Sequence, residues 1–113
     1  MIKPLFKEIE YNCPSHVFKK ICHLPWSQLL DSANSSALRT DTNRYSYIAF
    51  SPVMTFTIKN NILLEKNKSV MDPFALLNDI LFKNVNFTPI LELPPFQGGL
   101  LGYFSYDICH YIE

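Results

Sequence analysis

The segment that decides the fold runs from residue 96 to residue 107 and reads Phe-Gln-Gly-Gly-Leu-Leu-Gly-Tyr-Phe-Ser-Tyr-Asp. The three glycines of the chain all lie in it, at Gly98, Gly99 and Gly102. The apolar and aromatic residues from Leu100 to Ser105 favour a β-strand. Because glycine has no Cβ, we predict that this strand passes close to another backbone and that the three glycines are structural.

A phosphate-binding loop is the functional alternative for the same glycines. Such a loop needs a Lys-Ser/Thr pair after the glycines, or a G-x-G-x-x-G pattern that opens a helix. The residues that follow Gly102 provide neither. The pattern therefore favours close packing over phosphate binding.

Upstream of the glycines, the sequence alternates between strand and helix patterns. One helix is predicted from Pro14 until just before Pro25, a second from Pro73 to about Lys83, and a further one begins at Tyr106. The predicted strands lie at residues 7–11, 26–32, 45–50, 54–59 and 62–65. This order predicts an α+β fold with two or three helices and a largely antiparallel sheet, in one domain that covers residues 1–113.

Local signals support two of these elements. Asn60 and Asn61 tolerate positive φ and predict a turn between two paired strands. Asp72 can cap the free N–H groups of a helix whose first residue, Pro73, has a preset φ. The residues from Ala33 to Asn43 are rich in Ser, Asn, Asp and Thr, which predicts a surface loop.

The composition excludes several classes of function. The chain has 113 residues, of which 48% are hydrophobic, and its ten Lys and Arg balance ten Asp and Glu. This balance predicts no binding to nucleic acid or to an anionic membrane, and the apolar runs are too short to span a bilayer. The N-terminus lacks the pattern of a signal peptide, and the three cysteines are an odd number, so we expect free thiols and a cytoplasmic location.

Two Cys-His dipeptides, Cys22-His23 and Cys109-His110, are the candidates for a metal site. Zinc ligands usually follow C-x-x-C or H-x-x-x-H spacing, because adjacent residues rarely point at one ion. The carboxylates are scattered along the chain and suggest no acid–base pair. We therefore predict no metal site and no catalytic residue in these 113 residues.

Four motifs, taken in order, resemble one enzyme family. They are Leu-Pro-Trp at residues 24–26 with Leu-Leu-Asp-Ser at 29–32, Arg-Tyr-Ser-Tyr at 44–47 leading to Ser-Pro at 51–52, Asp-Pro-Phe at 72–74, and Leu-Pro-Pro-Phe-Gln-Gly-Gly at 93–99 with Gly-Tyr-Phe-Ser-Tyr-Asp at 102–107. This set is similar to the N-terminal region of component I of the chorismate-using synthases. The Leu-Pro-Trp motif and Gln97 favour the aminodeoxychorismate synthases of folate biosynthesis. The anthranilate synthases of tryptophan biosynthesis are the alternative.

The resemblance implies an activity for a longer parent enzyme. Such an enzyme converts chorismate and ammonia to 4-amino-4-deoxychorismate with Mg²⁺, and a glutamine amidotransferase partner supplies the ammonia. The catalytic and magnesium-binding residues of the family lie in a C-terminal chorismate-binding domain. We therefore expect this chain to be a truncated N-terminal part of the family's β-sandwich-like fold, inactive alone, with its own C-terminal domain as a partner.

The resemblance also implies part of a tryptophan pocket. Ser32 matches the family serine that contacts the amino acid, and Arg44 and Tyr45 fall at positions that line the pocket. Thr42 and Asn43 occupy equivalent places but differ from the usual residue types. The predicted pocket residues are Asp31, Ser32, Thr42, Asn43, Arg44 and Tyr45. Asp31 stands where the family has Glu or a non-acidic residue, and its carboxylate could pair with the ammonium group of the ligand, L-tryptophan.

Two other functions stay open at this point. The chain could be a separate amino-acid-binding module, or a scaffold without enzymatic ancestry. A fragment of a larger fold should expose apolar sheet surface, and such a surface predicts a homodimer that covers it.

Overall fold

The computed structural model describes residues 4–32 and 45–112. The chain forms two compact units, the first from Phe6 to Met54 and the second from Thr55 onwards together with Pro4 and Leu5. The helices and strands, in chain order, are α1 (Pro14–Ile21), β1 (Gln28–Leu30), β2 (Tyr47–Ala49), β3 (Ile58–Lys59), β4 (Ile62–Leu63), β5 (Lys68–Ser69), α2 (Pro73–Asn84) and a C-terminal 3₁₀-helix (Tyr106–Tyr111).

In the first unit, α1 begins where the sequence places proline. Pro14 occupies the first helical turn, where its missing N–H leaves no bond unmade. The carbonyl of Cys13 accepts hydrogen bonds from the backbone N–H groups of His16 (3.0 Å) and Val17 (3.1 Å). Lys19 and Lys20 lie in the last turn, where positive charge is favourable beside the helix C-terminus.

A turn joins α1 to β1 and shortens the predicted strand. Trp26 has a φ of 56°, a left-handed value, so the strand predicted from residue 26 begins only at Gln28. The backbone N–H of Ser51 donates to the carbonyl of Pro25 at 2.9 Å, and the hydroxyl of Ser27 donates to the carbonyl of Cys22 at 2.9 Å. These bonds fix the entry into β1.

Strands β1 and β2 pair antiparallel in a two-stranded sheet. Leu29 lies opposite Ile48, and Leu30 lies opposite Tyr47. The predicted strand at residues 45–50 is therefore confirmed with its core at Tyr47–Ala49.

The second unit contains a three-stranded antiparallel meander with the order β3-β4-β5. The predicted turn between β3 and β4 is confirmed, because Asn60 and Asn61 have φ values of 52° and 61°. Asn67, with a φ of 48°, supports the second turn, and β5 was not predicted from the sequence. The backbone N–H of Val70 donates to the carbonyl of Asn61 at 2.7 Å and ties the end of the meander to its first turn.

Helix α2 confirms the predicted cap. The carboxylate of Asp72 accepts from the backbone N–H groups of Phe74 (3.0 Å) and Ala75 (3.3 Å). The helix ends at Asn84, one residue beyond the predicted Lys83.

The buried residues lie in the meander, directly after it, and at the first residue of α2. Leu63 is 3% exposed and Val70 is 7% exposed, and Pro73 is buried as well. Among the described residues, no other hydrophobic side chain of the second unit is buried to this degree.

Two predicted strands are wrong. Residues 7–11 and 100–105 lie outside helices and strands. Both sequences favour extended backbone, but a strand also needs a neighbour to pair with its N–H and C=O groups. The helix predicted at Tyr106 is present as a 3₁₀-helix of six residues, and the hydroxyl of Tyr111 donates to the side-chain oxygen of Asn61.

The α+β class is confirmed, with helices and antiparallel strands in two small sheets. The residues predicted as a polar loop, 33–43, lie outside the described part of the chain, whereas residues 31, 32 and 45 lie within it. Of the helices that the structure describes, none has the length and apolar character needed to cross a bilayer.

Candidate functional site

The candidate site lies at one end of the β1–β2 pair. Asp31 and Ser32 follow β1, while Tyr45 and Ser46 precede β2. Because the two strands are antiparallel, the end of β1 and the start of β2 lie at the same edge of the sheet. The fold therefore brings together three of the residues predicted for the tryptophan pocket, Asp31, Ser32 and Tyr45.

Ser32 links the two strands beyond their last paired residues. Its hydroxyl donates a hydrogen bond to the backbone carbonyl of Tyr45, and both residues are half-buried. The hydroxyl thus bonds the opposite strand rather than its own backbone. Since a hydroxyl oxygen also carries two lone pairs, Ser32 can still accept a hydrogen bond from a ligand.

Asp31 is exposed, and its carboxylate accepts a hydrogen bond from the hydroxyl of Ser46 at 2.9 Å. This contact gives the carboxylate a preferred orientation next to Ser32. An ionised carboxylate is an acceptor with several lone pairs, and an ammonium group is a suitable donor for it. The arrangement can therefore bind a primary ammonium group.

Two tyrosines add an aromatic surface to this end of the sheet. The ring centroids of Tyr45 and Tyr47 are 6.4 Å apart, and the ring planes are inclined by 45°. Residues two apart on an extended chain point to the same face, which accounts for the contact. Tyr47 and Ser46 were not among the predicted site residues, and only this two-residue period could have indicated Tyr47.

Three predicted pocket residues, Thr42, Asn43 and Arg44, lie outside the described residues. Their proposed contacts with the amino acid stay predictions.

The glycine segment differs from the packing that was predicted for it. A Cβ added to Gly98 would lie 3.1 Å from the ring of Phe87, and one added to Gly99 would lie 3.5 Å from the ring of Phe96. Both neighbours are side chains, whereas the prediction was a close approach to another backbone. Gly98 and Gly99 instead have φ values of 152° and 141°, which L-residues rarely adopt.

Gly102 has neither of these constraints. A Cβ added there would have no described atom within 4 Å, and its φ lies outside the positive range. The described part of the chain therefore supplies no reason for glycine at this position.

Gln97 organises the proline-rich segment before the glycines. Its side-chain oxygen accepts from the backbone N–H of Ile90 at 2.8 Å, and its side-chain nitrogen donates to the carbonyls of Ile90 (2.8 Å) and Pro94 (3.1 Å). The amide group thus pairs with Ile90 as a neighbouring strand would. Sequence reasoning singled out Gln97 only through the family resemblance and missed this structural role.

The remaining reactive groups are dispersed. Among the described residues, no group of three or more His, Cys, Asp or Glu is placed to hold a metal ion. A hydrogen bond with the Ser15 hydroxyl, at 3.2 Å, lowers the pKa of the Cys13 thiol. An open groove on α2, lined by Asn78, Leu81, Phe82 and Val85, contains no titratable side chain.

Two kinds of synthase are similar to this chain in sequence. The chain is 32% identical to aminodeoxychorismate synthase component 1 of Escherichia coli over 102 aligned positions, covering 85% of this chain and 22% of that protein. It is 30% identical to anthranilate synthase component 1 of Acinetobacter calcoaceticus over 121 aligned positions, covering 97% of this chain and 24% of that protein. A third relative, aminodeoxychorismate synthase component 1 of Bacillus subtilis, is 35% identical over 75 aligned positions, covering 62% of this chain and 16% of that protein.

No family model matches the chain, and no solved structure matches it. The relatives nevertheless confirm the resemblance that the motifs indicated, because component 1 of both synthases is similar to most of the chain at about 30% identity. The chain spans between a fifth and a quarter of the length of these two relatives.

Proposed function

We propose that this chain is the N-terminal scaffold of an aminodeoxychorismate synthase component I. The parent enzyme would replace the hydroxyl group of chorismate with ammonia, release water and form 4-amino-4-deoxychorismate for folate synthesis in the cytoplasm. The observation that carries the proposal is the 32% identity to the Escherichia coli synthase over 85% of the chain. The Leu-Pro-Trp motif at residues 24–26 and Gln97 support the same branch.

The reaction itself belongs to the remainder of the proposed enzyme. Chorismate, Mg²⁺ and the ammonia delivered by a glutamine amidotransferase would meet in the C-terminal catalytic domain. Mg²⁺ prefers several oxygen ligands, and it would neutralise the carboxylates of chorismate there. Because the resemblance places the catalytic and magnesium-binding residues in that domain, we assign this chain no catalytic step.

The contribution of this chain is structural. Several apolar side chains of its first unit are exposed, including Leu30 (47%), Phe50 (48%) and Trp26 (52%). Large exposed apolar residues around a short sheet are typical of a surface that another polypeptide covers. In the proposed enzyme, the catalytic domain covers this surface.

The end of the β1–β2 pair would hold L-tryptophan. In this proposal, the carboxylate of Asp31 and the hydroxyl oxygen of Ser32 accept hydrogen bonds from the ammonium group of the ligand. Tyr45 and Tyr47 offer aromatic surface for the indole ring, because aromatic pairs attract beyond the area they bury. Arg44 would contribute to the same pocket, as the resemblance implies.

A second candidate is the N-terminal region of an anthranilate synthase, where the same pocket would provide feedback inhibition by tryptophan. The observation in its favour is the relative from Acinetobacter calcoaceticus, which aligns with 97% of this chain. Inhibition of the reaction by tryptophan would favour this branch, whereas bound tryptophan without inhibition would favour the folate branch.

The scaffold role can be tested with a chimera. This chain would replace the matching region of the Escherichia coli component 1, and product formation from chorismate and ammonia would be measured. We expect the chimera to form aminodeoxychorismate, and we expect this chain alone to form none. A folded chimera without activity, beside an active parent enzyme, would contradict the scaffold proposal.

A matched pair of variants tests the importance of the glycine segment. Gly99→Val should abolish the activity of the chimera, because valine cannot adopt a φ of 141° without strain. Lys66→Ala alters an exposed polar side chain outside the proposed apolar surface and should leave the activity unchanged. Equal activities for the two variants would contradict the proposed importance of the glycine segment.

A further inference from the structure

Two cross-strand hydrogen bonds lie just beyond the paired part of β1 and β2. In the register of the two strands, the next opposed residues are Asp31 with Ser46 and Ser32 with Tyr45. Both pairs are bonded. The hydroxyl of Ser46 donates to the carboxylate of Asp31 at 2.9 Å, and the hydroxyl of Ser32 donates to the backbone carbonyl of Tyr45. The two strands therefore stay linked up to the candidate site.

These bonds determine what Asp31 and Ser32 can offer to a ligand. The hydroxyl of Ser32 uses its single proton on the carbonyl of Tyr45, so its oxygen acts towards a ligand as an acceptor. An ionised carboxylate is also an acceptor only, and it carries negative charge. The matching ligand group donates several hydrogen bonds and is positively charged. A primary ammonium group has both properties.

Ser46 orients the charged member of this pair. Asp31 is exposed, whereas Ser46 is half-buried on the opposite strand. The bond between them holds one carboxylate oxygen against that strand and narrows the rotamers that the Asp31 side chain adopts. A side chain that is already oriented loses less conformational freedom when a ligand binds. Removal of the Ser46 hydroxyl should therefore weaken the binding of an ammonium group, even though the carboxylate is retained.

We propose that Ser46 is a positioning residue that acts through Asp31 and makes this site selective for aromatic ligands with a primary ammonium group. The inference rests on the proposed tryptophan pocket and adds to it the residue that sets the ligand class. The rings of Tyr45 and Tyr47 provide the aromatic surface, and the Asp31 carboxylate distinguishes an amine from its deaminated analogue.

A double-mutant cycle tests whether Ser46 acts through Asp31. L-Tryptophan would be titrated by calorimetry into the chimera with the Escherichia coli synthase. Ser46→Ala should weaken binding by about three- to tenfold, and Ser46→Thr, which retains a hydroxyl, should restore most of the affinity. In an Asp31→Ala background, Ser46→Ala should cause no further loss. Losses that simply multiply in the double variant would overturn the positioning role.

A second ligand tests the selectivity. Indole-3-propionate has the indole ring and the carboxylate of tryptophan but no amine. It should bind the unmodified chimera at least about tenfold more weakly than L-tryptophan, because it cannot donate to the Asp31 carboxylate and the Ser32 oxygen. Equal affinities for the two ligands would overturn the proposed selectivity for an ammonium group.

The controls separate this inference from the proposed pocket. Ser69→Ala removes a hydroxyl from an exposed residue of β5 in the second unit and should leave the affinity unchanged. Thermal unfolding should show that all variants are folded. If L-tryptophan does not bind the unmodified chimera, both the pocket and this inference are wrong. If it binds and Ser46→Ala binds it equally well, only the inference is overturned.

Discussion

The two units of the chain differ in how well they bury their own side chains. The second unit contains Leu63 and Val70, at 3% and 7% exposure, while none of the described residues from Phe6 to Met54 is fully buried. The difference follows from connectivity, because β3, β4 and β5 are joined by short asparagine turns, whereas β1 and β2 form only a two-stranded pair. An isolated pair of strands is marginally stable in water. We therefore expect the unit with the candidate site to depend more on a covering partner for its stability.

The largest expected effect is the loss of stability when the buried leucine is shortened to alanine. Leu63→Ala should lower the free energy of unfolding by about 2–3 kcal/mol, because it removes buried methyl groups and leaves a cavity. Leu30→Ala, at a residue that is 47% exposed, should cost less than about 1 kcal/mol. Urea unfolding followed by circular dichroism measures both. Similar losses would show that the two units do not differ in burial as described.

The next largest effect is the difference in stability loss between substitutions at Gly99 and at Gly102. Gly99→Ala should destabilise the chain by about 1–3 kcal/mol, because its φ of 141° is strained for alanine. Gly102→Ala should cause no loss, since its surroundings are open. The melting temperatures of the two variants provide the test. If Gly102→Ala lowers the melting temperature more than Gly99→Ala does, the assigned roles of the two glycines are wrong.

The cap of α2 should have a smaller effect. Asp72→Ala should cost about 1 kcal/mol, because two backbone N–H groups lose their acceptor. Asp79→Ala removes the ion pair between Asp79, 59% exposed, and Lys83, 71% exposed. Because both side chains are exposed, this change should cost less than about 0.5 kcal/mol. Equal costs would contradict the cap.

The smallest effect concerns pH. A hydrogen bond with the Thr57 side chain, and next the bond that the backbone N–H of Thr57 donates to the Glu65 carboxylate at 2.7 Å, lower the pKa of Glu65 below its ordinary 4.5. A lowered pKa stabilises the fold above pH 4.5, and this contribution is lost as the pH falls through the lower value. Glu65→Gln should therefore flatten the decrease in stability on acidification. An unchanged slope would show that the contact does not couple to folding.

Sequence reasoning succeeded where the signal is local. The cap at Asp72 and the turn at Asn60 and Asn61 depend on a few neighbouring residues, and both are confirmed. Residues 100–105 have a strand-like composition but no described partner, and composition cannot supply one.

The candidate site shows the same limit. Ser32 and Tyr45 were indicated by resemblance, but the bond of Asp31 to Ser46 depends on the register of β1 against β2. Register results from tertiary pairing, so the sequence alone does not specify it. The pairing of Gln97 with Ile90 also depends on the path of the loop between them.

The most direct test of the proposed site is calorimetric titration of L-tryptophan into the chimera with the Escherichia coli synthase, with L-tyrosine as the control ligand. The account predicts saturable binding that is selective for tryptophan and that weakens at least about tenfold in Ser32→Ala, because an acceptor for the ammonium group is lost. Thermal unfolding would confirm that the variant is folded. Absence of binding, or equal affinity for tryptophan with and without the Ser32 hydroxyl, would contradict the assignment of a ligand pocket to the end of β1 and β2.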